Sequence, residues 1–246
     1  MERGDFLTLW FLMIFGALVP YVVIKSRRAV RAGAAIPPRP RIYRNVLIMQ
    51  AIFLVAALTA ARAAWIDVFA PGEIRGFAVV AAVALLALAV AASRLIWRFT
   101  PDELRRRLLV SRPHEYGELG WWITVSLAAG IVEEVVYRGV MPLLLTSSIA
   151  RWMGSGATEG AASFAGPFTG AWCIAVGISI AAFVMGHYGQ GLPRAVFLSI
   201  FSLVCHVLVR TTGTLYLAMA FHLLYDVFAG VQAIRTVRGM DAVTQG

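Results

Sequence analysis

The chain has 246 residues, of which 60% are hydrophobic and 14% are charged, and its mean hydropathy is +0.77. A soluble domain carries roughly 45–50% apolar and about 25% charged residues, so this excess of apolar side chains is too large for one globular core. The composition predicts a protein that crosses a membrane several times. It excludes a disulfide-stabilised secreted domain, a disordered tail and an ordinary cytosolic enzyme.

The net charge of +9 comes from basic residues at the ends of apolar segments. They form no recognition helix and no basic patch with interleaved aromatics, so the sequence predicts no nucleic-acid partner. Loops on the cytoplasmic side of membrane helices are rich in Lys and Arg, and topology accounts for most of this charge. Cys173 and Cys205 lie within apolar segments, without the spacing of a disulfide framework or a metal site.

Seven apolar segments are long enough to cross a bilayer, which takes about 20 residues at 1.5 Å each. We therefore predict an all-α fold, a polytopic transmembrane bundle of seven to eight helices embedded in lipid. The segments are 6–24, 44–64, 76–97, 119–146, 168–187, 193–210 and 213–234.

The basic residues also predict the orientation of these segments. Residues 25–44 contain seven Lys and Arg residues, whereas the loop at 67–75 is mainly acidic, so the first loop is expected to be cytoplasmic. Alternation then places the arginines of 105–112 inside, residues 153–170 outside, and the tail inside. We expect an integral, multi-pass protein of a bacterial inner (plasma) membrane, with a cytoplasmic C-terminus.

Two regions follow from this organisation. Residues 1–118 are predicted to form the N-terminal transmembrane helices and a cytoplasmic interfacial helix, and residues 119–246 a catalytic transmembrane core. The interfacial helix is predicted to start after Thr100, acting as its cap, with Glu103 in the capping-box position. Leucines and four arginines within 104–112 are typical of a helix that lies on a membrane surface.

Three ionisable residues interrupt the fourth apolar segment, namely Glu133, Glu134 and Arg138. A charged residue at the centre of a membrane helix costs on the order of 2.5–3.5 kcal/mol on insertion scales, so these side chains need partners, water or protonation. Glu134 and Arg138 are four residues apart, in the order that favours an ion pair. Glu133 is rotated by about 100° from Glu134 and faces a different neighbour. An ion pair that only locks helix packing is the alternative.

Histidines also lie in or at the ends of apolar segments. His187 ends the fifth segment, and His222 precedes Asp226 by one turn on the same helix face. Each of these groups needs a buried partner, and the least costly arrangement gathers them around one buried polar cavity. His206 is expected to be a packing residue, and His114, in a polar loop, to have no functional role.

Such a cavity contains the groups that peptide hydrolysis requires. A carboxylate can take a proton from water that an imidazole positions, while a second imidazole and a polar neighbour stabilise the oxyanion. The same set can bind Zn²⁺ through Glu133, His187 and His222, with one position open for water. No His-Glu-x-x-His helix is present, and we favour a mechanism without a tightly held ion, with zinc as the alternative.

Three motifs resemble those of the intramembrane CAAX prenyl endopeptidase and bacteriocin-processing family, also called CPBP or Abi. The family pattern is Glu-Glu-x-x-x-Arg, then Phe-x-x-x-His, then His-x-x-x-Asn or Asp, each in a separate transmembrane segment. All three occur in this order within residues 119–234, as Glu133-Glu134 to Arg138, Phe183 to His187, and His222 to Asp226.

The resemblance implies an endopeptidase, of glutamate or metalloprotease type, with a cytoplasm-accessible cavity in a bundle of about eight helices. It implies that Glu133 and His187 activate water and that His222 and residue 226 form the oxyanion site. The prenyl endopeptidases typically have Asn where this chain has Asp226, and an Asp donates to an oxyanion only when protonated. The implied catalytic residues are Glu133, Glu134, Arg138, His187, His222 and Asp226.

The implied substrate is a peptide or a membrane-anchored protein. Two other functions are compatible with the same residues. A non-hydrolytic membrane protein could bind a partner or protect against a bacteriocin, with the polar cluster as a structural lock. An ion-coupled transporter also uses intramembrane carboxylates and histidines, but no inverted repeat supports it.

Overall fold

The computed structural model describes residues 3–32, 34–154, 163–187 and 190–244, and all regular structure in these ranges is helical. Six helices are long and apolar enough to cross a membrane, and a shorter apolar helix accompanies them. This confirms the predicted all-α, polytopic bundle. With one short helix added, the described helices are α1 Gly4–Val30, α2 Arg39–Ala63, α3 Gly76–Arg98, α4 Asp102–Leu109, α5 Tyr116–Trp152, α6 Gly170–Gly186, α7 Leu192–Thr212 and α8 Tyr216–Thr244.

The helices differ in how much of their surface the protein covers. Within the most apolar windows, 17% of the α3 residues and 22% of the α2 residues are buried, against 50% in α7 and in α8. Phe77, Val80 and Leu88 of α3 are exposed, as expected for side chains that face lipid. The inner helices α5, α7 and α8 therefore offer the most shielded positions for charged groups.

Helix α5 changes its winding beside the predicted charged residues. A π-helical turn at Val135–Val140 follows Glu134 directly and contains Arg138. Single π turns inside α-helices are often found at functional sites. The sequence does not predict this turn, because the apolar segment continues on both sides of it.

Helices α5 and α8 pack closely next to the charged residues. A Cβ atom on Gly130 would lie 3.3 Å from the backbone nitrogen of Leu223 and the backbone oxygen of Met219. Small residues let membrane helices approach in this way. Because Gly130 lies one turn before Glu134, the close approach brings Glu134 within reach of His222.

Helix α4 is present where the sequence predicts it, but its start differs from the prediction. The Thr100 hydroxyl donates to the Ile96 carbonyl and so finishes α3, while Pro101 occupies the cap position of α4 without a side-chain bond. The predicted Thr100 cap is therefore wrong, and the side chain of Glu103 lies outside the described residues. Leu108 and Leu109 are buried against Trp97, so these two leucines face protein.

Candidate active site

One cavity of about 180 Å³ is lined by residues of α5, α6, α7 and α8, and by Leu108, Ser111 and Arg112 at and after the end of α4. Glu133, His187, His222 and Asp226 line it, so four of the six predicted site residues meet although three separate helices supply them. The other two, Glu134 and Arg138, are not part of the wall.

The two oxygens of Glu133 have different surroundings. Oε1 accepts a hydrogen bond from Nε2 of Gln50 at 3.2 Å. Oε2 has no hydrogen-bond partner among the described residues and lies 4.0 Å from Nε2 of His187 and 4.0 Å from Nε2 of His222. These separations are too long for direct hydrogen bonds and suit a bridging water.

His187 follows the last residue of α6 and is held by its own helix. Its Nδ1 is 2.9 Å from the Phe183 carbonyl oxygen. Since a carbonyl only accepts, Nδ1 carries the proton of the neutral imidazole, and the Nε2 lone pair is directed towards Glu133. The ring also packs on Phe183, with 4.6 Å between ring centroids.

His222 is held by Glu134 from behind the cavity wall. Nδ1 of His222 is 2.8 Å from Oε1 of Glu134, and the same oxygen is 3.3 Å from Nη1 of Arg138. The Glu134 and Arg138 side chains are both 0% exposed, so the predicted pair is present. The contact with His222 was not predicted, and it directs Nε2 of His222 into the cavity.

Arg138 also connects the two imidazoles. Its guanidinium carbon lies 4.2 Å from the centroid of the Phe183 ring, a cation–π distance. One buried guanidinium thus contacts the carboxylate that holds His222 and the aromatic ring on which His187 packs. Phe183, the first residue of the second motif, therefore packs between Arg138 and His187.

Asp226 completes the acidic side of the cavity. Its Oδ2 lies 3.6 Å from Nε2 of His222, and its backbone oxygen accepts a hydrogen bond from the Trp122 indole at 2.8 Å. Arg112 and Arg194 line the same cavity. Burial and, next, the neighbouring Arg194 guanidinium lower the pKa of Arg112 to about 10, so Arg112 remains charged at neutral pH.

The other two histidines lie away from this cavity. His206 is 2% exposed and lines a separate small void beside Arg138, in keeping with the predicted packing position. His114 is more than a passive loop residue, because its backbone N–H donates to Glu118 and its Nδ1 lies 3.1 Å from Arg39. It helps to fix the start of α5.

Sequence reasoning missed three residues of the site, namely Gln50, Arg112 and Arg194. Gln50 carries no charge and therefore did not stand out in its apolar segment. It does share one helix face with Tyr43 and Ala57 at seven-residue spacing, and all three are buried, a pattern that could have indicated it. Arg112 served only as a topological signal, and Arg194, at the start of α7, was not singled out.

The fit to a metal ion is partial. Among the described residues, no group of three or more His, Cys, Asp or Glu side chains is arranged to hold one. Glu133 lies 4.0 Å from each of the two imidazoles. This distance is wider than the spacing between two ligands of a tetrahedral zinc ion, whose bonds are about 2.0–2.2 Å long. The Nδ1 contacts of His187 and His222 to oxygen atoms, however, are those that metal-binding histidines make.

The fold and the cavity together define an integral, multi-pass membrane protein with a buried acid–imidazole site. Residues 115–228 match the family model described as type II CAAX prenyl endopeptidase Rce1-like. The matched part of the chain contains all six predicted site residues and is similar to Rce1-like domains. The match agrees with the family suggested by the three motifs, and it implies a CAAX-type intramembrane peptidase with a peptide or protein substrate. No match was found among curated proteins or solved structures.

Proposed function

We propose that the protein is an endopeptidase that hydrolyses a peptide bond of a peptide or membrane-anchored protein, with Glu133 as the general base. The observation that carries this proposal is that Glu133 lines the cavity, while its buried Oε2 atom has no hydrogen-bond partner among the described residues and lies 4.0 Å from two imidazole nitrogens. A water molecule between these groups is within reach of the carboxylate. Loss of hydrolysis in Glu133→Gln tests the proposal.

In the proposed reaction, Glu133 takes a proton from the water while Nε2 of His187 accepts a hydrogen bond from it and holds it. The resulting hydroxide attacks the scissile carbonyl, and Glu133 then gives the proton to the leaving amine. A doubly protonated His222 donates from Nε2 to the oxyanion. The carboxylates of Glu134 and Asp226, at 2.8 Å and 3.6 Å, stabilise that imidazolium. Asp226 therefore has a role without being protonated.

A metal-dependent version of the same function is the second candidate, favoured by the Nδ1 contacts of the two histidines. Glu133, His187 and His222 would hold the ion. A bound zinc would supply an activated water and polarise the carbonyl.

We expect detergent-purified protein to contain no stoichiometric transition metal and to keep its activity after treatment with a chelator. The reason is the wide spacing of the three donor groups. Elemental analysis by mass spectrometry checks this. A stoichiometric metal that disappears in His187→Ala or His222→Ala would establish the metal-dependent mechanism instead.

The proposed orientation places the cavity mouth and the C-terminus on the cytoplasmic side of a bacterial inner membrane. Support comes from Arg112 and Arg194, which line the cavity, and from the basic residues of 25–44, because basic loops stay on the cytoplasmic side.

Fusions at the C-terminus report this orientation. We expect a C-terminal green fluorescent protein to be fluorescent and a C-terminal alkaline phosphatase to be inactive, since the phosphatase folds only outside the cytoplasm. The opposite result for both fusions would invert the topology and place the cavity mouth on the outer side.

A further inference from the structure

Gln50 contacts Glu133 from a part of the chain outside the matched domain. It lies in α2, and its Nε2 donates to Oε1 of Glu133 at 3.2 Å. The residue is 4% exposed and does not belong to the cavity wall. Gln50 therefore reaches the reacting groups only through Glu133.

The oxygen atom of the Gln50 amide makes no favourable polar contact among the described residues. Its Oε1 atom is buried and has no hydrogen-bond partner among the described residues. A buried acceptor without a partner destabilises the folded state, whereas an apolar side chain of similar shape avoids that cost. Packing between α2 and α5 alone would thus favour Leu or Met at this position. The hydrogen bond to Glu133 explains why the residue is an amide.

We propose that Gln50 is a positioning residue that fixes the carboxylate of Glu133 in its working orientation. With Oε1 held by Gln50, the planar carboxylate directs Oε2 towards the imidazoles of His187 and His222, 4.0 Å from each Nε2 atom. Without this bond the carboxylate can rotate away from the water. The inference rests on the proposed role of Glu133 as the general base.

A neutral donor suits this task better than a cation. Hydrogen bonds from Arg or Lys to a carboxylate are roughly twice as strong as those from neutral donors, and they stabilise the ionised base against accepting a proton. The amide of Gln50 orients Glu133 and leaves it able to take the proton from water. The buried guanidinium of Arg138 is paired with Glu134 instead.

The test compares Gln50→Met with Tyr43→Phe. Met conserves volume but cannot donate. Tyr43 lies two turns earlier on the same face of α2, is 1% exposed, and has a hydroxyl without a hydrogen-bond partner in the described structure. Both substitutions therefore remove a buried polar group from one face, and only Gln50→Met removes a contact with Glu133. The substrate is a quenched peptide that spans a wild-type-dependent cleavage site mapped in cells.

We expect Gln50→Met to lower kcat by roughly 10- to 100-fold, because small misplacements of a catalytic group have effects of this size. KM should stay within about twofold of wild type, since Gln50 does not touch the cavity, and Tm should be unchanged or higher. Tyr43→Phe should retain kcat, KM and Tm.

A kcat of Gln50→Met within twofold of wild type would overturn the inference. So would parallel losses of kcat and Tm in Gln50→Met and Tyr43→Phe, because these would indicate a packing role for this face of α2. The proposed function fails separately, if no wild-type-dependent cleavage site exists or if Glu133→Gln is fully active. If Glu133→Gln is inactive and Gln50→Met is fully active, the role of Gln50 is refuted and the proposed function stands.

Discussion

Glu133→Gln should lower peptide hydrolysis by roughly 10²- to 10⁴-fold, the usual contribution of a general base, while the protein still inserts and folds. The substituted amide keeps an oxygen that can accept from Gln50, and the Glu134–Arg138 ion pair is untouched. His187→Ala should also abolish measurable hydrolysis, since it removes the imidazole 4.0 Å from Oε2 of Glu133. Initial rates of the purified variants in detergent check both effects.

Glu115→Gln is the matched control for this experiment. It makes the same chemical change at an exposed position shortly before α5, away from the cavity, and should retain the wild-type rate. A non-hydrolytic protein gives a different result, because any phenotype that it confers would survive both Glu133→Gln and His187→Ala.

Glu134→Ala and Arg138→Leu should each lower Tm by roughly 6–20 °C. Breaking a buried ion pair from one side costs about 3–5 kcal/mol, and about 1 kcal/mol shifts Tm by roughly 2–4 °C in a chain of this size. The double substitution should recover part of the loss, since no unpaired charge then remains. Recovery is incomplete because His222 still loses the acceptor of its Nδ1 contact at 2.8 Å.

Thermal melts of wild type, both single variants and the double variant form a double-mutant cycle that measures the coupling. Glu133→Gln, measured alongside, should melt close to wild type. Strictly additive losses at positions 134 and 138 would contradict the pairing. A Glu133→Gln protein as unstable as Glu134→Ala would contradict the division of roles between the two glutamates.

The site residues that the sequence predicts are those whose charges cost free energy inside a membrane. Charges at Glu133, Glu134 and Arg138 demand compensation in an apolar segment, and this cost is visible without a structure. Helical spacing then separates Glu133 from the Glu134–Arg138 pair, and the structure contains that pair. The long apolar segments likewise predict the bundle, because membrane-spanning length is a strong signal.

Other parts of the site depend on contacts between distant segments. Gln50 in α2 contacts Glu133 in α5 only because the two helices pack together. An uncharged amide also gives little signal in an apolar segment. Arg112 and Arg194 resemble the many arginines that set topology, so only the cavity distinguishes them. The π turn at Val135–Val140 likewise has no counterpart in the pattern of apolar residues.

The central claim is that this cavity cleaves peptide bonds with Glu133 as the base. Its most direct test is a comparison of protein N-termini, by mass spectrometry, in cells that express equal amounts of wild type or Glu133→Gln. The account predicts new N-termini in membrane-associated proteins or peptides of the cells that express wild type. These N-termini should be absent with Glu133→Gln and should return when wild type is expressed in the same cells. Identical sets of N-termini in both cells, with both proteins folded in the membrane, would contradict it.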